Sequence, residues 1–359
     1  MCRKISFSPE IVLSSVFIIL TLCFSSGAAK GVAEAINALT PHTDKENVPV
    51  ISEEYSKEEI VSDKTGVEED TESEPGYVTP EDILEYEREY LDEYSGKTAA
   101  GMVTEKFFVT DAATFISGNV AIRNCTEQSP DFETIICEGV ELGTEDSSQP
   151  AVLIFHTHTT EAYLPSFNGS YYEGFKTRSL DPLKSVVRVG EAICSALEEK
   201  GVKCIHDVNV YDSAYNGAYS RSREGILKLL EEYPSIKIVL DIHRDAVYSS
   251  GAVAIKPTAV INGKKAAQIM IITGAEEGRI TDFPDWKKNL SFALCLQKAV
   301  QDKYEGLMKP IYFCERKYNM DVSPCSLLLE FGSDTNTLEE AVYSGALFGD
   351  ALADMINGS

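Results

Sequence analysis

Three short apolar runs, each ending in polar side chains, organise this chain. Val152–Phe155 leads into His156 and His158, Ile236–Ile242 into His243, and Leu327–Leu329 into Glu330. Runs of this length read as buried strands. Between them the period becomes helical. Leu183, Val186, Val187, Val189, Ile193, Ala196 and Leu197 form one stripe, so residues 180–199 are expected to be a helix. Asp181 suits its N-cap, Pro182 its first position, and Gly201 its stop. Residues 202–205 read as a strand and 222–233 as a helix. The alternation predicts an α/β fold, with a mixed, mainly parallel sheet and helices on both faces.

Further along, residues 253–260 and 266–272 flank Asn262-Gly263, a hairpin signal. Residues 286–303 carry helical spacing, 311–315 and 326–330 read as strands, and Thr337 with Glu340 forms a capping box that opens a last helix. The expected catalytic domain is 149–359, preceded by a small lead-in of strands and turns over 101–148. Residues 30–100 are rich in Glu, Asp, Ser, Lys and Thr and read as an acidic flexible spacer. One helix interrupts it at 80–94, where Tyr86, Tyr90 and Tyr94 fall four apart. It reads as a marginal solvated helix, with a docking helix as the alternative. Residues 1–29 read as a cytoplasmic tip and membrane anchor. Arg3 and Lys4 precede the uncharged stretch Ile11–Ala29, long enough to span a bilayer core, which places the rest of the chain outside the cytoplasm. The small residues from Ser25 to Ala29 leave a cleaved secretory signal as the alternative.

Charge narrows the range of partners. The chain has 57 acidic and 32 basic residues, a formal charge of −25. That balance excludes a nucleic-acid-binding face, which needs basic residues against phosphate. Much of the excess lies between Asp44 and Glu93, so it describes the spacer more than the site. Of nine cysteines, the seven beyond the anchor are odd in number and widely spread. They read as small core hydrophobes rather than a disulfide framework.

The chemistry sits where the strands end. Open α/β sheets bind ligands at strand ends. Two imidazoles and a carboxylate, with a further carboxylate nearby, are what a hydrolytic Zn2+ site needs. His156 and His158 face one way if the strand continues through them; if it stops at His156, His158 leads the following loop. His42 and His206 read as bland.

From about Ile122 onward the chain resembles the stage II sporulation protein P family of cell-wall amidases. The resemblance rests on Val152-Leu-Ile-Phe-His-Thr-His-Thr-Thr-Glu161, Val187-Arg-Val-Gly190, Asp241-Ile-His-Arg-Asp-Ala246, Trp286-Lys-Lys-Asn-Leu290, Lys317-Tyr-Asn319 and Leu328-Leu-Glu-Phe-Gly-Ser-Asp-Thr-Asn-Thr-Leu-Glu-Glu-Ala341. A lead-in element, Ile122-Arg-Asn-Cys-Thr126 with Asp131, also matches. The resemblance implies a fold similar to zinc-dependent N-acetylmuramoyl-L-alanine amidases, and cleavage of that amide in peptidoglycan during engulfment of the forespore. Endopeptidase activity is a further possibility it raises. The implied location is the cell membrane, with the domain facing the space between mother cell and forespore. Implied partners are stage II sporulation proteins D and M. A cell-wall carboxypeptidase and a non-enzymatic peptidoglycan-binding scaffold are the rival readings.

By the same resemblance, His158 and His243 are metal ligands and His156 supports them. Glu330 is the catalytic acid–base, and Arg244 binds a peptide carboxylate or a developing oxyanion. Local pairing with Asp245 is the alternative for Arg244. The related amidases place a third ligand, a Glu, near the start of the helix expected here at Pro182. No Glu stands there. Glu161 is the preferred candidate and Asp181 the alternative.

Overall fold

The computed structural model describes residues 77–142, 147–249 and 253–358. The apolar stretch Ile11–Ala29, the acidic clusters before Tyr77 and His42 lie outside them. Among the described residues, no helix is long and apolar enough to cross a membrane.

Helix α1 (Glu81–Tyr94) is followed by β1 (Ala99–Lys106), β2 (Phe115–Ser117), β3 (Val120–Asn124) and α2 (Phe132–Glu138). Then come β4 (Val152–Phe155), β5 (Ser170–Tyr172), α3 (Val186–Glu199), β6 (Cys204–His206), α4 (Ala218–Glu232) and β7 (Ile238–Asp245). Strands β8 (Ala254–Ile261), β9 (Lys264–Ala267) and β10 (Ile269–Gly274) precede α5 (Trp286–Lys303). The chain closes with β11 (Ile311–Cys314), β12 (Cys325–Ser333) and α6 (Leu338–Asn357).

Eight strands form the main sheet in the order β2-β3-β11-β10-β12-β7-β4-β6. Only the β2–β3 and β10–β12 pairs are antiparallel. Helices cover both faces, as the alternation predicts. Helices α3, α5 and α6 bury Val189, Ile193, Leu290, Leu294, Phe348 and Leu352 against one face. On the other, Ile226 of α4 packs with Leu153, Phe155 and Val239. The lead-in contributes β2 and β3 to the edge of this sheet, through parallel pairing of β3 with β11. A second sheet, β5-β1-β8-β9, was not expected. Asn262 and Gly263, with φ of 51° and 77°, turn the β8–β9 hairpin as their sequence predicts.

Helix α3 starts later than the periodicity suggests. Asp181 does cap, accepting a hydrogen bond from Leu183 N, but it caps a 3-10 turn over Pro182–Lys184. The α-helix begins after Ser185, whose hydroxyl accepts from Val187 N. Within the helix, Cys194 is disulfide-bonded to Cys204 of β6. The reading of the outer cysteines as small core hydrophobes therefore fails for this pair, and also for Cys125 and Cys137, which are exposed. Gly201 lets helix and strand double back, bringing their Cα atoms to 5.6 Å. Cys125, Cys137, Cys295, Cys314 and Cys325 are free.

Helix α1 docks on its own chain rather than lying solvated. Asp82 pairs with Arg188 of α3 at 2.9 Å, and Glu87 accepts from Ser166 at 2.8 Å. Tyr94 stacks on Tyr172, and Tyr90 meets Phe175 edge-on. Tyrosines four apart put their rings on one face, and that face covers the segment between β4 and α3. Loss of the buried Tyr90 ring, Tyr90→Ala, should cost about 3 kcal/mol and open the 165–185 segment to limited proteolysis. Unchanged urea unfolding would show that α1 contributes no packing energy.

Candidate active site

Strand β4 ends at Phe155, so His156 and His158 lie on the turn that follows it. Asp241 of β7 pins this turn. Its carboxylate accepts from Thr157 N at 2.8 Å and from Thr157 Oγ1 at 2.7 Å. The two flanking imidazoles consequently point to different places.

His156 is fully buried, with Nδ1 2.9 Å from the Ile242 carbonyl and Nε2 2.9 Å from His206 Nε2. A carbonyl only accepts, so Nδ1 carries the proton; His156 Nε2 then accepts from His206 Nε2–H. Burial, and then the neighbouring His206, hold His156 well below the usual histidine range. Burial lowers His206 to about 4. His206 is therefore a partner of the supporting histidine, not the bland residue expected.

His158 faces the opposite way, stacked on Tyr215 with centroids 5.0 Å apart and edge-on to His243 at 5.3 Å. His243 Nδ1 lies 3.4 Å from Glu161 Oε2. Its Nε2 is 2.8 Å from Asp241 Oδ1, but without hydrogen-bond direction. Burial alone lowers a histidine, as it does His158. At His243, Asp241 and Glu161 outweigh burial and raise the imidazole well above its ordinary value.

Glu161 is buried at the centre. Its carbonyl accepts from Val186 N at 2.8 Å, which sets it at the start of α3. The carboxylate that the resemblance seeks at that helix is thus brought there in space. Asp181 is not part of the cluster; its side chain is 44% exposed and serves as a cap. Burial pushes the Glu161 carboxyl up, but Arg244 and then His243 outweigh it and hold it well below the usual range. Arg244 N donates to Glu161 Oε2 at 3.2 Å, while its guanidinium donates to the carbonyls of Ala162 and Thr177 at 3.2 and 2.7 Å. Arg244 thus braces the turn that carries Glu161. Asp245 contacts Lys309 at 3.7 Å and caps Ala246 N, rather than pairing with Arg244 through its carboxylate.

Glu330 lies beside His243 in the parallel β12–β7 register. The register shifts just after it, where Gly332 takes φ of 66°. Such a bulge re-aims side chains near a strand end. Burial, and then the charge of Asp245, push the Glu330 carboxyl up to about 8.

The donor chemistry here fits a cation. His158 Nδ1, His243 Nε2 and Glu330 Oε2 are buried without a hydrogen-bond partner, and Glu161, Asp212 and Asp241 stand beside the imidazoles. Among the described residues, however, no three His, Cys, Asp or Glu side chains stand where one ion could bond them all. The donors are neighbours, not a closed set. Sequence reading missed Asp212, whose Oδ2 is 3.9 Å from His158 Nδ1, and Arg178, which pairs with Asp212 at 2.5 Å. Neither sits in an apolar run or a recognisable spacing, so the sequence carries no local signal for them.

Gly190 of α3 lies against the supporting pair. A Cβ there would meet His206 Nε2 at 2.6 Å and His156 Nε2 at 2.8 Å. Gly→Ala within a helix ordinarily stabilises by about 0.5–1 kcal/mol. Gly190→Ala should instead destabilise by about 1–3 kcal/mol, and His206→Ala in the same chain should recover part of that loss. Urea unfolding checks both; a stabilising Gly190→Ala would refute the crowding.

A model of the stage II sporulation protein P family matches residues 27–356. Stage II sporulation protein P of Bacillus subtilis (strain 168) is 28% identical over 216 residues, 57% of this chain and 50% of that protein. The chain thus matches about half the length of this curated relative. Among solved structures, N-acetylmuramoyl-L-alanine amidase AmiC2 of Nostoc punctiforme aligns at 14% identity over 58% of this chain and 96% of its own, with a TM-score of 0.34. The N-acetylmuramoyl-L-alanine amidase of Clostridium difficile 630 aligns at 15% identity over 59% of this chain and 99% of its own, with a TM-score of 0.31. With the family model covering nearly all of the chain beyond residue 26, the protein belongs to the stage II sporulation protein P family.

Proposed function

We propose that this protein is a zinc-dependent peptidoglycan hydrolase acting in engulfment during endospore formation. It cleaves the amide between the lactyl group of N-acetylmuramic acid and L-alanine. The observation that carries this reading is the cluster of His158, His243 and Glu161, with Glu330 beside His243 on the adjacent strand. On this reading Ile11–Ala29 anchors the chain in the membrane and the domain faces the wall, where stage II sporulation proteins D and M are its partners.

His158, His243 and Glu161 are neighbours that would have to draw together to hold the ion, which when bound would polarise the scissile carbonyl and lower the pKa of water toward 7. Glu330 moves the proton. It takes one from the attacking water and returns it to the amide nitrogen as the C–N bond breaks. A carboxyl pushed up to about 8 suits proton exchange near neutrality. Asp241 and His156 hold the strand and turn that carry the two imidazoles. Arg244 fixes the Glu161 turn from its buried position, so its part is to brace rather than to grip substrate.

His243→Ala should remove most bound zinc and most wall digestion from a folded protein. The new termini in wild-type digests should be free lactyl carboxyls and L-alanine amines. Peptide termini alone would point to a carboxypeptidase or endopeptidase instead, and full zinc occupancy in His243→Ala would sink the ligand assignment.

Glu330→Gln should keep zinc and wall binding while losing about 10²- to 10⁴-fold in rate. In chelated protein the same change has a pH signature. Folding favours the protonated carboxyl, so the wild type loses stability as pH rises from about 4.5 to about 8. The advantage of Glu330→Gln over wild type should be absent near pH 4 and reach about 1–3 kcal/mol by pH 9. A pH-independent difference in denaturant midpoint would show that Glu330 titrates normally.

A further inference from the structure

Arg178 carries no role in the reading above, yet it reaches both Glu161 and Asp212, the carboxylates that face the two imidazoles. An antiparallel bridge sets it directly opposite Glu161. Backbone bonds on either side, Ala162 N to Thr177 O at 3.0 Å and Ser179 N to Thr160 O at 2.7 Å, fix that register. Residues opposed in this way bring their side chains together. From there the guanidinium forks. Nη2 lies 3.7 Å from Glu161 Oε1, and Nη1 lies 2.5 Å from Asp212 Oδ2 and 3.1 Å from Thr160 Oγ1. Thr160 completes the link by donating from its hydroxyl to Asp212 at 2.6 Å.

Each of the two carboxylates faces one imidazole: Glu161 faces His243 at 3.4 Å, and Asp212 faces His158 at 3.9 Å. The guanidinium also lies over the Tyr215 ring, 5.5 Å from its centroid, and that ring stacks on His158. We propose that Arg178 is a positioning residue, a single fork that holds the carboxylates beside His158 and His243 in one fixed arrangement. The inference rests on the metal site proposed above. A planar guanidinium can hold two carboxylates in fixed relative geometry, which an ammonium cannot. Partners of this kind orient metal ligands, and their loss typically weakens affinity by about 10- to 100-fold. Arg178 is 39% side-chain exposed, so it can be replaced without opening a core cavity.

The test uses the full chain. Zinc affinity is read by competition with a chelator, and wall digestion is resolved into kcat and KM. In Arg178→Ala, zinc affinity should fall about 10- to 100-fold. At saturating zinc, kcat should fall while KM for wall fragments stays within a few-fold. Arg178→Lys keeps a positive charge beside both carboxylates, so it stays folded and carries the test even if Arg178→Ala does not. It should recover little of the lost affinity, whereas full recovery would overturn the fork. Asp212→Asn should weaken zinc by itself and make the further loss from Arg178→Ala smaller than in the wild type; additive losses would overturn the link. Unchanged zinc affinity in Arg178→Ala, beside His243→Ala that has lost zinc, removes Arg178 and leaves the metal site standing. Absence of zinc from the wild type removes the metal reading itself.

Discussion

A carboxylate taken out of water must be met by charge and hydrogen bonds, or it will not stay ionised. Glu161 imposes that requirement here. Its position is met by three residues from two segments: Arg244, through its N–H and its charge, and His243 from β7, and Arg178 from the segment before α3. Meeting it fixes the path of the whole turn after β4. Residues 161–164 are stitched to Val186 at the start of α3, to Thr177, and to Asn336 and Leu338 beyond β12. Tyr163 adds a hydrogen bond from its hydroxyl to the Phe331 carbonyl at 3.0 Å. The turn carrying His158 and the bulge following Glu330 are therefore joined through the backbone on both sides of one buried charge.

The parts of the fold written in local physics were legible. The capping box at Thr337 and Glu340 forms as its spacing predicts, and α5 runs from Trp286 to Lys303. The apolar runs became adjacent parallel strands, so β4, β7 and β12 bring His158, His243 and Glu330 to one end of the sheet. What was not legible depends on pairing across long stretches of chain. Nothing local to Ala99–Lys106 tells it to pair with Ala254–Ile261 in a second sheet. Nothing near Asp82 announces Arg188. Asp181, the alternative to Glu161, shows how a local cue can point two ways. Its sequence position beside the helix suggested a ligand, but a short exposed side chain at an N-cap is already used by the backbone. Glu161, remote in sequence, reaches the same helix start through one carbonyl.

Family motifs that carry no chemistry of their own also acquire physical reasons. Asn289 of α5 donates to the carbonyls of Met320, Ser323 and Ser326, tying the helix to the entry of β12. Asn319 sits at φ 59°, a left-handed position that Asn tolerates well. From there its amide reaches the Tyr219 carbonyl and the Ser222 hydroxyl of α4. Ser222 in turn contacts Thr157 at 2.8 Å, on the turn between the two histidines. One chain of hydrogen bonds therefore runs from the loop before β12 to the turn of His158.

The histidines then divide by their surroundings. His156 and His206 have only each other and a carbonyl, so burial keeps both neutral, and their single shared hydrogen bond needs one defined pair of tautomers. Gly190 leaves the room in which that pair fits. His243 is buried as well, yet carboxylates on two sides favour a positive charge on it. Within one turn of chain the fold thus separates a neutral scaffold from a cluster of carboxylates and the cations that face them. A divalent cation arriving at this end of the sheet would find its attraction at Glu161, Asp212 and Asp241. The proton on His243 is what it would have to displace, because a coordinating imidazole must be neutral. The same carboxylates that stabilise that proton are those that would repay its loss, so the acidity of the cluster and its basic histidine are one arrangement seen from two sides.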